Sequence, residues 1–167
     1  MEIFFENGMN FIRAQMEAGA DGIQIVEPNC SLISPQFYKD YIMPLHTKMV
    51  EEIQKENGFA RLHICGDTNK LLKYSLGTGT RILDVDSAVD LAAGKALLKP
   101  CQVFCGNLDS VSDVLGGAPD AFAGKVKAVQ QASGDRAIIA AGCDIPPATS
   151  VENMIAFHDA VEALKYA

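Results

Sequence analysis

Short apolar runs rich in Val and Ile alternate along this chain with longer stretches whose apolar positions recur every three or four residues. The first kind has the length and β-branched content of buried strands, and the second has the period of amphipathic helices. Strands are expected at Gly22–Glu27, Arg61–Cys65, Arg81–Val85, Gln102–Gly106 and Arg136–Gly142. The clearest helix is the last, where Val151, Met154, Ile155, His158, Val161 and Leu164 follow i, i+3, i+4, i+7 spacing. Thr149 and Glu152 form a T-x-x-E capping box at its start, directly after Pro146-Pro147. Another long helical stretch opens at Ser34-Pro35, a cap followed by a first-turn proline, and runs to Gly58 with a kink expected at Pro44.

Strand–helix alternation of this kind predicts a parallel sheet covered by helices. No internal repeat or linker divides the chain, so residues 1–167 read as one domain. Length favours an open doubly wound sheet, because a complete (β/α)8 barrel takes about 250 residues and five units make only part of one. The polar residues favour the barrel. Glu27, then His63 and Cys65, then Asp84 and Asp86, then Asn107 and Asp109, then Cys143 and Asp144 stand at the C-terminal ends of the expected strands. In a barrel those ends converge on one mouth, whereas in an open sheet only strands near a switch point share a site. There is no G-x-G-x-x-G and no phosphate-loop pattern to support a nucleotide-binding open sheet. The expected fold class is therefore α/β, a partial (β/α)8 TIM barrel with about five parallel strands.

Composition narrows the function. A formal net charge of −7 with no run of Lys or Arg lacks the basic footprint of a nucleic-acid binder. No apolar run approaches the length that spans a bilayer. Met1-Glu-Ile-Phe-Phe-Glu is acidic where an export signal would be basic, so the cytoplasm is the expected compartment. Five cysteines, an odd number without an export signal, do not suggest a disulfide scaffold. Cys30 reads as structural, and Cys101 and Cys105 as core packing.

His63-Ile64-Cys65 is the most informative tripeptide. Side chains two apart on a strand share a face, so His63 and Cys65 point to the barrel axis while Leu62 and Ile64 point to the helices. A His and a Cys on one face make half of a tetrahedral zinc site, and Cys143 could supply a third ligand. Alone, H-x-C is a weak pattern. Asp67 and Asp144 could accept hydrogen bonds from the ligands or cap the adjacent turns. Asn107 and Asp109 could contact substrate or fix a strand-to-helix turn, and Glu27 either serves the site or simply ends its strand in a Glu-Pro turn. His46 and His158 read as helix-packing or surface residues.

Gly19-Ala-Asp-Gly-Ile-Gln-Ile-Val-Glu-Pro28, His63-Ile-Cys-Gly-Asp-Thr68, Gly106-Asn-Leu-Asp109 and Gly142-Cys-Asp-Ile-Pro146 occur in an order that resembles the uroporphyrinogen decarboxylase superfamily. H-x-C with a distant Cys resembles its zinc-dependent methylcobamide:coenzyme M methyltransferase branch more than the decarboxylases. The resemblance covers the whole chain but only the C-terminal half of a family barrel. It implies Zn2+ on His63, Cys65 and Cys143, with Asp86 the first and Asp84 the second choice for a fourth, carboxylate ligand. Asp86, Glu27 and Asn107 are the expected catalytic residues. Where the family often has proline after Gly-Asn-Leu-Asp, this chain has Ser110, a turn residue whose departure from the pattern leaves the zinc reading unchanged.

The implied reaction moves a methyl group from a methylated corrinoid, of the methylcobalamin type carried on a corrinoid protein, to a small thiol such as coenzyme M. Two thiolates and a neutral imidazole leave zinc formally neutral, so a bound substrate thiol can lose its proton and stay nucleophilic. The alternative is a metal-free uroporphyrinogen-decarboxylase-like lyase. Its need for clustered basic residues is poorly met by Arg13, Arg61, Arg81 and Arg136. A half-barrel also leaves open sheet edges, so a homo-oligomer, completion by another chain, or an inactive zinc-binding fragment is expected.

Overall fold

Five strands pair side by side in chain order, every pair parallel. They are β1 (Gly22–Glu27), β2 (Phe59–Ile64), β3 (Ile82–Val85), β4 (Val103–Leu108) and β5 (Ala137–Ala141). The computed structural model describes residues 2–55, 57–134 and 137–164; Arg136, the expected start of the fifth strand, lies outside them. Helix α1 (Glu2–Glu17) precedes β1, and α2 (Pro35–Phe37) with α3 (Met43–Lys55) joins β1 to β2. Helices α4 (Leu72–Gly77), α5 (Leu91–Lys95) and α6 (Phe122–Ser133) make the next three crossovers, and α7 (Val151–Leu164) follows β5. An order of 1-2-3-4-5 never reverses, so there is no switch point, and right-handed crossovers put every helix on one face. This is the arrangement of a barrel wall, and the open doubly wound sheet is ruled out.

The register divides each strand into two faces. Leu62, Ile64, Leu83, Val85 and Phe104 are buried against Leu72, Leu76 and Leu91 of the helices. The alternate positions, Gln24 and Val26 on β1, Arg61 and His63 on β2, Asp84 on β3 and Cys105 on β4, point to the concave side. Two further apolar clusters anchor the ends, one around Val50 and Ile53 of α3, the other around Phe122, Val126 and Phe157 of α6 and α7.

Several expected boundaries move. The stretch expected as one helix from Ser34 to Gly58 consists of α2, a π-helical turn at Tyr38–Ile42 and α3, which ends at Lys55. Ser34 caps it as expected, its Oγ accepting from the Phe37 N–H at 3.1 Å. Pro44 cannot donate to the Asp40 carbonyl, and the irregularity falls in the turn before it, where its ring would clash with regular helix. β2 stops at Ile64, so Cys65 opens the following turn, and β4 runs on to Leu108, so Asn107 lies within the strand.

Helix α7 has the expected extent but a different inward face. Asn153 and Phe157 are buried, while Val151, Met154 and Ile155 are 68%, 40% and 55% exposed. The helix is apolar on two sides, and only one of them meets α6. Its cap is Ser150, whose Oγ accepts from the Asn153 N–H at 3.1 Å, and not Thr149, whose buried Oγ1 has no hydrogen-bond partner. Cys101 is exposed, contrary to the expected core position, because it precedes the strand that buries Cys105.

Candidate metal centre

The three expected ligands reach one point from two distant strands. His63 is held inward by β2, with Leu62 and Ile64 packed into the helix layer on either side of it. Beyond Ile64 the chain turns sharply at Gly66, which has φ 82°, and a Cβ there would stand 2.9 Å from Ser31 Oγ. Glycine is required at this left-handed, crowded position. The Gly66 N–H donates to Asp86 Oδ2 at 2.7 Å and the Cys65 N–H to the Glu27 carbonyl at 3.4 Å, so both neighbouring strands fix the Cys65 turn.

Cys143 is fixed from β4. The Gly142 N–H donates to the Leu108 carbonyl at 2.7 Å. Ser110 Oγ donates to the Cys143 carbonyl at 2.9 Å and accepts from the Cys143 N–H at 3.2 Å. Ser110, legible in the sequence only as a turn residue, therefore holds one of the metal residues in place. Its partner lies 33 residues away in sequence, a relation that no local pattern encodes.

His63 Nε2 lies 3.2 Å from Cys65 Sγ and 3.8 Å from Cys143 Sγ, and the two sulfurs are 3.8 Å apart. Tetrahedral zinc with Zn–S near 2.3 Å and Zn–N near 2.05 Å sets its donors about 3.8 Å apart for S–S and about 3.6 Å for N–S. The donor set fits the ion in both chemistry and spacing. Among the described residues these three form the group of His, Cys, Asp and Glu side chains able to hold a metal, and neither Asp84 nor Asp86 joins it. They open onto a cavity of about 160 Å³ on the concave side, lined also by Gln24, Val26 and Asp144.

Without a metal, Cys65 and His63 carry protons at neutral pH. Burial and the neighbouring Cys143 thiol push Cys65 up to about 11. The Asp84 carboxylate raises His63 to about 9 against the opposing pull of burial. A metal entering the site must displace these protons, so its affinity rises with pH.

The remaining expected residues are placed differently. Asp86 accepts the Gly66 N–H through Oδ2 and the Ser87 N–H and hydroxyl through Oδ1, at 2.7, 2.6 and 3.2 Å, clamping the turn that carries Cys65. Asn107 Nδ2 donates to the carbonyls of Asp86 and Val89, bracing the loop after β3. Glu27 is paired in register with Ile64, on the helix-facing side, where Oε1 accepts the Asn29 N–H and the carboxylate helps push Cys30 up to about 12, after burial. Neither of the two carboxylates, Asp86 and Glu27, is gathered with the sulfurs.

Asp109 caps the segment at Ser110–Leu115, and Asp67 accepts from Asn69, so both act in turns. His46 is buried against Tyr38 and His158 is exposed. Sequence reasoning missed Arg61 as a site residue: its Nε donates to Asp84 Oδ2 at 2.8 Å on the floor of the cavity.

The uroporphyrinogen decarboxylase (URO-D) family pattern matches residues 1–164. A methylcobamide:CoM methyltransferase, MtbA, of Methanosarcina mazei is 32% identical over 146 residues, 86% of this chain and 42% of that protein. The MtaA methylcobamide:CoM methyltransferase of Methanosarcina barkeri is 31% identical, covering 92% of this chain and 45% of its own length. A uroporphyrinogen decarboxylase of a Synechococcus species is also 31% identical, over 92% of this chain and 44% of that protein. A solved methyltransferase structure from Methanosarcina mazei superposes with a TM-score of 0.87 at 28% identity, covering 99% of this chain and 48% of that one. The chain thus spans somewhat under half the length of the relatives it matches. With its strand order, its inward-facing donors and this match running almost end to end, the chain belongs to the uroporphyrinogen decarboxylase family.

Proposed function

We propose that this chain carries the thiol-activating half of a corrinoid-dependent methyltransferase, with His63, Cys65 and Cys143 as zinc ligands. The observation that carries the reading is the meeting of one imidazole nitrogen and two sulfurs at zinc-like spacing beside a concave cavity. Zinc bound there would lower the pKa of an incoming thiol and hold it as a nucleophile. The chain's own residues supply the donors, the hydrogen bonds that fix Cys65 and Cys143, and the surrounding walls. In the proposed transfer the thiolate sulfur attacks the methyl carbon of a methylated corrinoid. The carbon–cobalt bond breaks and its electron pair stays with cobalt. A thiol such as coenzyme M is the acceptor and a corrinoid protein the donor, as the names of the methyltransferase relatives suggest.

Asp86, whose oxygens accept from the Gly66 N–H and from Ser87, braces the turn that carries Cys65; Glu27 and Asn107 act through the loops they brace. We assign the reaction to the cytoplasm, where thiols stay reduced; no helix among the described residues is long and apolar enough to cross a membrane. We further infer that the sheet is completed by additional strands, from the same polypeptide or another chain.

The second reading, a metal-free lyase, draws on the decarboxylase relatives, but two inward cysteines 3.8 Å apart have no part in it. A colorimetric zinc assay on the purified chain separates the two. One zinc per chain, lost in Cys65→Ala, is the expected result; parent and variant both lacking zinc would sink the methyltransferase reading.

A further inference from the structure

Asp84 stands beside the proposed metal centre, on the side of His63 away from the sulfurs. It is the direct cross-strand partner of His63 in the β2–β3 register, so both side chains enter the concave side together. Its Oδ2 lies 3.5 Å from His63 Nδ1, while both cysteine sulfurs face Nε2. A carboxylate at the Nδ1 side of the ring cannot also bind an ion held at Nε2 with the two sulfurs. Asp84 is 3% exposed, and its Oδ1 and the His63 Nδ1 are both buried without a hydrogen-bond partner. The ring nitrogen lacks an acceptor when it carries its proton, and the carboxylate beside it keeps lone pairs to spare beyond those Arg61 uses.

Arg61 completes the arrangement. It sits two residues before His63 on the same strand face, and its Nε and one terminal nitrogen reach Asp84 Oδ2 at 2.8 and 2.5 Å. This pair fixes the carboxylate from below and offsets the burial of its charge. A shift of a few tenths of an ångström would bring Oδ2 into hydrogen-bond range of Nδ1.

We propose that Asp84, clamped by Arg61, is a positioning residue that accepts the His63 Nδ1 proton and so presents Nε2 as the metal donor. The proposal rests on the zinc reading above and assigns Asp84 a place behind the imidazole, not on the metal. Accepting that proton fixes the tautomer, the ring angle and the basicity of Nε2, which are the properties that such outer partners set for metal-bound histidines.

The test uses the full 167-residue chain, with zinc affinity measured by chelator competition and the ring nitrogens of zinc-loaded, 15N-histidine-labelled protein read by NMR. Parent protein is expected to bind zinc through His63 Nε2 with a proton on Nδ1. Asp84→Ala should lower affinity by about 10- to 100-fold and broaden or shift the His63 Nδ1 proton. Asp84→Asn keeps the volume and an acceptor, so it should fold where Asp84→Ala does not. It is expected to lose only several-fold in affinity and to move the Nδ1 proton upfield as a charged acceptor becomes a neutral one. Tight zinc binding by the parent with affinity and Nδ1 proton unchanged in both variants would overturn the proposal and leave the zinc reading standing. A parent that binds no zinc would overturn both.

Discussion

One hydroxyl holds both backbone groups of Cys143, since Ser110 donates to its carbonyl and accepts from its N–H. Replacing it with alanine leaves two polar groups near the cavity unpaired and frees the loop that presents a sulfur. Ser110→Ala should therefore cost about 1–2 kcal/mol, read as a lower urea midpoint of the metal-free chain, and should also weaken zinc binding. Stability and zinc affinity equal to the parent's would remove Ser110 from the site. The contrast with His63 and Cys65 explains what a sequence reveals at this scale. Alternation along a strand is a local rule, so the shared inward face of His63 and Cys65 was legible from the tripeptide. Ser110 to Cys143 and Arg61 to Asp84 join residues on different elements, at separations of 33 and 23 residues, and no local pattern records them.

Among the elements, α3 carries a group whose burial makes the fold sensitive to acid. His46 is 5% exposed, its Nδ1 is 3.0 Å from the Tyr38 hydroxyl, and burial lowers its pKa to about 4. The unfolded chain takes up a proton near pH 6.5, the native state only near pH 4. Above pH 6.5 both states are neutral here. Between pH 6.5 and 4 only the unfolded state binds the proton, so stability falls as pH drops, by up to about 3 kcal/mol across the window. His63, raised to about 9, is already protonated in the native state and only becomes so in the unfolded state as pH falls through 6.5, so it adds a smaller opposing gain near the top of the window and none below about pH 5.5. Urea unfolding of metal-free protein at pH 7 and pH 4.5 should show the loss. His46→Gln, which keeps a partner for Tyr38, should flatten it; an equal slope in the variant would place the acid sensitivity elsewhere. The elements themselves were largely legible, because period and β-branched content are properties of a short window. What misled was α7, where the period marks a helix but cannot say which of two apolar sides is covered.

Over the whole molecule, the uncovered surfaces lie at the two ends of the strand order. Among the described residues β1 and β5 each pair on one side only. Val26 and Ile138 on these strands are exposed, and so are Ile3, Phe4 and Phe11 of α1 and Val151, Met154 and Ile155 of α7. A sheet edge flanked by bare apolar helix faces is a template for further strands and helices. Light scattering after size exclusion is expected to find the 167-residue chain self-associated when expressed alone. A stable monomer with a sharp unfolding transition would count against completion by other strands. Barrel curvature was legible from the polar residues at successive strand ends, but the closing partner was not, because nothing inside the chain contacts it.

The ligand spacing has a mechanical consequence. In a flat sheet β2 and β5 would stand about 14 Å apart, three steps of about 4.8 Å. Cys65 and Cys143, just beyond their ends, nevertheless bring their sulfurs to 3.8 Å. An ion bound between them acts like the string of a bow, taking tension across the arc from β2 to β5, of which β5 pairs on one side only among the described residues. Curvature of the wall and occupancy of the site then become one linked equilibrium: free metal at 100 times its dissociation constant adds about 2.7 kcal/mol to the curved form, and a wall already held in its arc by neighbouring strands takes up the ion more tightly.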